Sequence, residues 1–266
     1  MSEKNIIACI IVRMKSIRLP KKAFAELGGI TMTEQLIRRL KTSKSITDIV
    51  ICTSNNKEDE VLLKKAKEWG VKSFAGHEDD VLSRLIDVSE IYNADMVLRI
   101  TGDNPFTDTE NIDRLVKHHI STSADYTRTN RLPLGVTAEV MDKKMLKKLH
   151  SIMPDPNQSE YMSFYSFNPD IFHCEVLEPP ASFDRPYYSL TVDYPEDLEL
   201  ARKLYSKLGK NGAIPSLQSV IDELDNDESY VEVSKNAIIK LPEEKEMKYV
   251  DLITMLDELA VKSRKK

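Results

Sequence analysis

The stretch "NIIACIIVRMKSIRLPKK", Asn5–Lys22, decides the fold. Its first eight residues are apolar or small apart from Asn5, and five of them are β-branched, Ile6, Ile7, Ile10, Ile11 and Val12. An unbroken apolar run of this length marks a strand covered on both faces, the pattern of a parallel sheet with helices on either side. The next ten residues carry Arg13, Lys15, Arg18, Lys21 and Lys22. The open question is why five cations should follow a buried strand in a chain whose formal net charge is −5.

Strand and helix patterns alternate outward from this stretch. Helical spacing covers Thr31–Lys44, Lys57–Gly70, Asp79–Asn93 and Thr109–Thr122. Strand patterns lie at Asp48–Ser54, at "VKSFAG" and at Asp95–Asp103. Alternation of this kind makes βαβ units and a mainly parallel sheet. In open α/β sheets the ligand crevice lies beyond the carboxyl ends of the strands. Both the cationic loop and "TGDNP", Thr101–Pro105, fall there. After Ala124 the pattern loosens. "LPLGVTAEVM" reads as an antiparallel strand, "YMSFYSFNPDIFHCEVLE" has aromatic strand character, and "YYSLTVDYPEDLELARKLYSKLG" reads as a strand running into a helix. The expected division is a catalytic domain over residues 1–210 and a C-terminal appendage over 211–266. The appendage carries an amphipathic segment, Met247–Val261, whose apolar stripe has to be buried on the core or across a dimer interface.

At 266 residues, with 41% hydrophobic and 30% charged residues, this is an ordinary globular composition. The negative balance argues against a general nucleic-acid binder. No apolar run approaches the ~20 residues that span a bilayer. Cys9, Cys52 and Cys174 have no metal-ligand spacing and read as buried small hydrophobes, which fits a reducing cytoplasm.

The loop lacks the glycine patterns of nucleotide-binding loops. Arg13, Ser16, Arg18 and Lys22 point instead to a polyphosphate held by side chains, with arginine forks and a compact lysine charge on phosphate oxygens. Asp103 and Asp193 each end a strand-like segment shortly before a proline. A carboxylate there faces the crevice, where Mg²⁺ bridges protein to phosphate using only one or two protein ligands. Arg185, just before the "TVD" segment, is placed to meet an acceptor carboxylate or phosphate.

"RMKSIRLPKK" resembles the R-x-x-S-x-R-L-P-x-K signature of the sugar-acid cytidylyltransferases, the group of the CMP-Kdo and CMP-sialic acid synthetases. It is most similar to the branch named after spore coat polysaccharide biosynthesis protein F. "LGG" at 27–29, "EDDVLSR" at 78–84, "VLRITGDNP" at 97–105, "LGVTAEVM" at 134–141 and "LTVDYPEDLEL" at 190–200 follow in order. The resemblance implies a GT-A-like, Rossmann-related α/β fold and transfer of CMP from CTP with release of pyrophosphate, serving surface polysaccharide or glycan assembly. It also implies a triphosphate on Arg13, Ser16, Arg18 and Lys22, magnesium on Asp103 and Asp193, and a nucleoside near Ser83 and Arg84. The acceptor is implied near Gly135, Thr137 and Glu139, and relatives are often homodimers. Lys15 and Lys21 stand where that branch usually has glycine. Ile11–Val12 replaces its Gln-Ala, and Glu160–Tyr161 its Glu-His. The alternatives are a glycosyltransferase on the same fold and an inactive nucleotide-binding relative.

Overall fold

The computed structural model describes residues 4–265. Seven strands make one sheet in the order β5-β4-β1-β6-β8-β7-β9. They are β1 Ile6–Ile11, β4 Asp48–Ser54, β5 Lys72–Gly76, β6 Met96–Thr101, β7 Tyr126–Thr129, β8 Glu139–Asp142 and β9 Cys174–Leu177. β5, β4, β1 and β6 are parallel; β8 runs antiparallel to β6 and to β7, and β7 pairs parallel with β9. A two-residue pair, β2 Glu26–Leu27 with β3 Ile30–Thr31, closes the stretch that follows the loop.

The apolar run of β1 has the expected cause. Ile7 and Cys9 point into a core shared with α3 Val81–Ile91 and α5 Lys143–Ile152. Ala8 and Ile10 point to the other face, against α1 Met32–Leu40, α2 Glu60–Glu68 and α4 Thr109–Thr122. All four residues are fully buried, so alternation of side chains gives no alternation of polarity. The three cysteines are free and buried.

The second half departs from the sequence reading in two places. The aromatic segment expected to be strand contains a short helix, α6 Met162–Ser166, before β9. "YYSLTVD" is extended but joins no sheet. It makes a bridge with the loop 132–136, through Leu134 N–H to Tyr188 O and Leu190 N–H to Leu134 O, both 2.8 Å. That loop is itself irregular, so no ladder propagates.

A third core gathers around α7 Pro195–Leu208 and α8 Leu217–Asp225. Leu217, Val220, Ile221 and Leu224 of α8 are buried there in company with Leu27 and Phe106 from the first half. A hairpin, β10 Ile238–Lys240 and β11 Glu246–Lys248, leads into α9 Tyr249–Ser263. Leu256, Leu259 and Ala260 of α9 pack on the first core. Among the described residues no helix is long and apolar enough to cross a membrane.

Candidate active site

Three parallel strands deliver their carboxyl ends to one edge. β1 leads into the cationic loop, β6 into Gly102–Asp103, and β4 into the turn that carries Asp59. Gly102 is required by close approach, because a Cβ there would meet Val12 Cβ at 2.7 Å. Its N–H donates to Ile11 O at 2.8 Å, which sets Asp103 directly beside the loop. Asp59 is buried. It accepts Met14 N–H at 2.7 Å and the backbone and hydroxyl of Ser54, and so fixes where the loop leaves the strand.

Asp103 and Asp193 meet on one cation. Lys22 Nζ donates to Asp103 Oδ2 and to Asp193 Oδ1, each at 2.8 Å, and to Val192 O at 3.1 Å. The two carboxylate oxygens therefore lie within twice that 2.8 Å bond of each other. Val192 N–H donates to Asp103 O at 2.9 Å, tying the two segments together. Asp193 does not cap α7. Asp197 reaches back to accept the N–H groups of Asp193 and Tyr194, at 2.9 and 2.8 Å, which leaves the Asp193 side chain free for the crevice. Arg18 completes the group, 3.0 Å from Asp193 Oδ1 and stacked over the Tyr194 ring.

Two uncompensated carboxylates would repel and raise an aspartate pKa, which is the expectation for a site without its metal. The opposite holds for Asp193. Burial opposes its ionisation, but the hydrogen bond and charge of Lys22, then those of Arg18, outweigh it and hold the carboxyl below its ordinary value. For Lys22, burial lowers and Asp103 followed by Asp193 raise, with a net upward shift. The cluster is charge-balanced from within.

The other loop residues spread outward. Arg13 sits 3.6 Å from Glu160, and Lys15 3.2 Å from Glu78. Ser16 Oγ accepts Leu19 N–H at 3.4 Å and stabilises the loop turn. Lys21 has φ 58°, the left-handed conformation that glycine would supply without strain. Ile17 at the loop tip is 93% exposed.

Ser83 serves the start of α3, where its N–H and hydroxyl both bond Asp80. Arg84 is buried at 2% exposure. It makes one long hydrogen bond, 3.5 Å to Cys52 O, and its Nε has no partner. Burial and the nearby charge of Arg13 push its pKa down. Protein groups alone therefore leave this buried guanidinium poorly satisfied.

Gly135 lies against the segment that leads to Asp193. Its φ is +89°, and a Cβ would fall 2.6 Å from Thr191 N and 3.0 Å from Asn104 Oδ1. Thr137 donates to its neighbour's carbonyl, Ala138 O, at 3.1 Å. Glu139 is buried and its oxygens are taken, by Tyr126 OH on one side and by Arg99 (2.7 Å) and Ser163 (2.8 Å) on the other. Burial opposes its ionisation, and the charges of Arg99 and Arg128 overcome this and lower its pKa. Glu139 thus organises this wall through both of its oxygens. Arg185 is held by Asp225 of α8, at 2.9 and 3.3 Å, and does not join the carboxylate cluster.

The sequence model of the cytidylyltransferase family matches residues 7–214. The chain belongs to that family. It is 34% identical over 212 residues to spore coat polysaccharide biosynthesis protein SpsF of Bacillus subtilis, covering 77% of this chain and 88% of that protein. A solved cytidylyltransferase from Leptospira borgpetersenii is 26% identical with a TM-score of 0.75, over 86% of this chain and 99% of that one. CMP:2-keto-3-deoxy-manno-octonic acid synthetase, solved with CTP, shares the fold at 15% identity and a TM-score of 0.61, over 77% and 99% of the two chains. The cytidylyltransferase resemblance read from the loop and the Rossmann-related α/β class are therefore both correct.

Proposed function

We infer that this cytidylyltransferase moves CMP from CTP to an acidic sugar and releases pyrophosphate. The observation that carries the reading is the Lys22 bridge, with Asp103 and Asp193 on one ammonium beneath a cationic loop. An acceptor oxygen attacks the α-phosphorus in line, and the bond to pyrophosphate breaks. Such transfers depend on positioning and charge neutralisation, with no protein nucleophile. Arg13, Lys15 and Arg18 face the leaving pyrophosphate. Arg84 lies behind them on the nucleoside side.

The donor set fits Mg²⁺: two carboxylates that already share one cation, and among the described residues no cluster of three or more metal-ligating side chains. Mg²⁺ typically uses one or two protein carboxylates and fills its other positions with water and phosphate. Asp103 and Asp193 would hold it, and when bound it would neutralise charge on the phosphate oxygens. Lys22, whose ammonium now bridges the two carboxylates, would be placed to donate to a phosphate oxygen of the nucleotide.

The test is pyrophosphate release with each of the four nucleoside triphosphates against acidic and phosphorylated sugars. CTP with a sugar acid should be the productive pair. Release of a nucleoside diphosphate from a nucleotide sugar would instead establish a glycosyltransferase.

A further inference from the structure

Two helices grip the turn that follows Asp103. Pro105 has no N–H, so its carbonyl is its one backbone group for a hydrogen bond. Two buried side chains donate to it, Arg39 of α1 through Nε at 3.0 Å and Tyr205 of α7 through its hydroxyl at 2.8 Å. Phe106 packs against both. Its ring centre lies 5.0 Å from that of Tyr205 and 6.0 Å from the guanidinium carbon of Arg39. Next in the turn, the Asn104 carbonyl accepts from the N–H and the hydroxyl of Thr107, at 3.2 and 2.8 Å.

A buried guanidinium set on a neutral carbonyl is a costly arrangement. The Nη2 of Arg39 has no hydrogen-bond partner, and its charge acts at longer range on the buried Asp108. An apolar side chain of similar volume would avoid that cost, which points to a task beyond packing. The position of Tyr205 shows what the task is. Asp193 stands just before α7, and Tyr205 lies near the other end of that helix. At about 1.5 Å per residue, Tyr205 is roughly 15 Å along the axis from Pro195. Val192 N–H holds Asp103 O at the near end, and Tyr205 holds Pro105 O at the far end. One hydrogen bond fixes a distance. Two, spaced along a helix and anchored on the same turn, fix its direction and with it the place of Asp193.

We propose that Arg39 and Tyr205 are positioning residues of the catalytic centre: their shared hold on the Pro105 carbonyl sets the separation of Asp103 and Asp193, and so the grip of that pair on a divalent cation. Neither residue touches the carboxylates; each acts through the turn. The consequence for the cation rests on the transferase reading, in which the two carboxylates hold Mg²⁺. The clamp itself rests on the geometry of the turn and α7 alone.

The test compares Tyr205→Phe with Tyr92→Phe in the full-length protein. Tyr92 makes a bond of the same kind, to Ser73 O at 3.2 Å, on the edge strand β5. Amide exchange is followed first, without metal or nucleotide. Tyr205→Phe should speed exchange at Val192 roughly two- to tenfold, the scale of one neutral hydrogen bond, and leave β1 amides as in wild type. Tyr92→Phe should leave Val192 unchanged. Arg39→Met should move the same amide, and Arg39→Lys, which keeps a donor, should move it less. Tyr205→Phe removes a single oxygen and decides the question if Arg39→Met does not fold. Electron paramagnetic resonance with Mn²⁺ and CTP is the second readout. Tyr205→Phe should weaken Mn²⁺ binding by a similar factor of roughly two to ten, and Tyr92→Phe should not. Wild-type exchange at Val192 in Tyr205→Phe, or an equal rise at Val192 and in β1, overturns the clamp. Faster exchange at Val192 with wild-type Mn²⁺ affinity overturns its role for the cation. A wild-type protein that binds no Mn²⁺ counts against the transferase reading alone, and the exchange comparison still decides the clamp.

Discussion

The two sides of the crevice handle charge in opposite ways. On the side of the cationic loop, Lys22 and Arg18 neutralise Asp103 and Asp193 at hydrogen-bond distance, so the cluster is balanced from within. On the wall beyond Gly135, Arg128 lines a mainly apolar cavity, its Nε has no hydrogen-bond partner, and its charge acts at longer range on the buried Glu139. The first arrangement is preorganised, at the cost of an exchange of partners on binding. The second leaves a buried donor unsatisfied, which carries a desolvation cost.

Asp103→Asn should break the nucleotide side most severely. We expect turnover to fall on the order of 10²–10³-fold, the scale seen when a preorganised charge contact is removed. The melting temperature should stay close to wild type, because Lys22 keeps Asp193. Initial rates of pyrophosphate release together with a thermal melt decide this; a variant with wild-type rates would remove Asp103 from the chemistry.

Lys22→Met should sharpen the comparison by leaving Asp103 without its ammonium and Asp193 with Arg18 alone. Stability should drop by about 1–3 kcal/mol, since two partly buried carboxylates lose a charged partner. In exchange, Mn²⁺ without nucleotide should bind roughly tenfold tighter, a difference of about 1.4 kcal/mol, as read by the loss of free Mn²⁺ signal in electron paramagnetic resonance. The pH dependence has a definite sign. Asp193 titrates below its ordinary value, so its contribution is full above about pH 4 and fades as pH falls through the folded value beneath. Lys22 titrates above its ordinary value, so its contribution is full below about pH 10 and fades as pH rises further. Melting curves of Lys22→Met should be flatter on both limbs. A wild-type slope at both ends would mean that the bridge contributes nothing.

Gly135→Ala tests the join between the two sides. A Cβ at 2.6 Å from Thr191 N, on a residue with φ +89°, forces the backbone apart. The expected cost is about 1–3 kcal/mol of strain, with the rate reduced more than CTP affinity because Asp193 shifts. Lys21→Gly is the smallest change. It relieves a left-handed lysine at φ 58°, and the relief less the added chain entropy should leave a gain of about 0.5 kcal/mol or less. Denaturant titration reads both.

The parallel half was legible because its inner strands β1 and β4 are buried on both faces and each helix has one apolar stripe. "DIVICTS" and "TENIDRLVKHHIST" form β4 and α4 with the expected ends. The loop and the two aspartates were legible from residue type and position. What joins them was not. The Lys22 bridge spans segments far apart in the chain, and the sequence suggested only that Lys22 meets phosphate. Asp59 sits in "NNKEDE", a stretch that reads as a solvated helix start, and nothing local shows that one of its acids turns inward to the loop backbone. Arg128 is a lone cation in "YTRT", and only the fold sets it over the Phe167 ring and within reach of the charge on Glu139. Arg185 and Glu139 are the converse case. Their positions fit a ligand, but tertiary partners, Asp225 for one and Arg99 with Tyr126 and Ser163 for the other, already occupy them.

The hydrogen bond from Val192 N–H to Asp103 O has a further consequence, for the order of assembly. The parallel strands build from neighbouring βαβ units, whereas this bond closes a long loop and waits for α7 to dock. Contacts of high sequence separation carry the largest closure entropy and are made late. The catalytic centre should accordingly be the last part to form and the first to open. In mild denaturant, activity should vanish while the far-ultraviolet signal of the sheet persists, and amide exchange at Val192 should run ahead of exchange in β1. The strands would then outlive the enzyme they support.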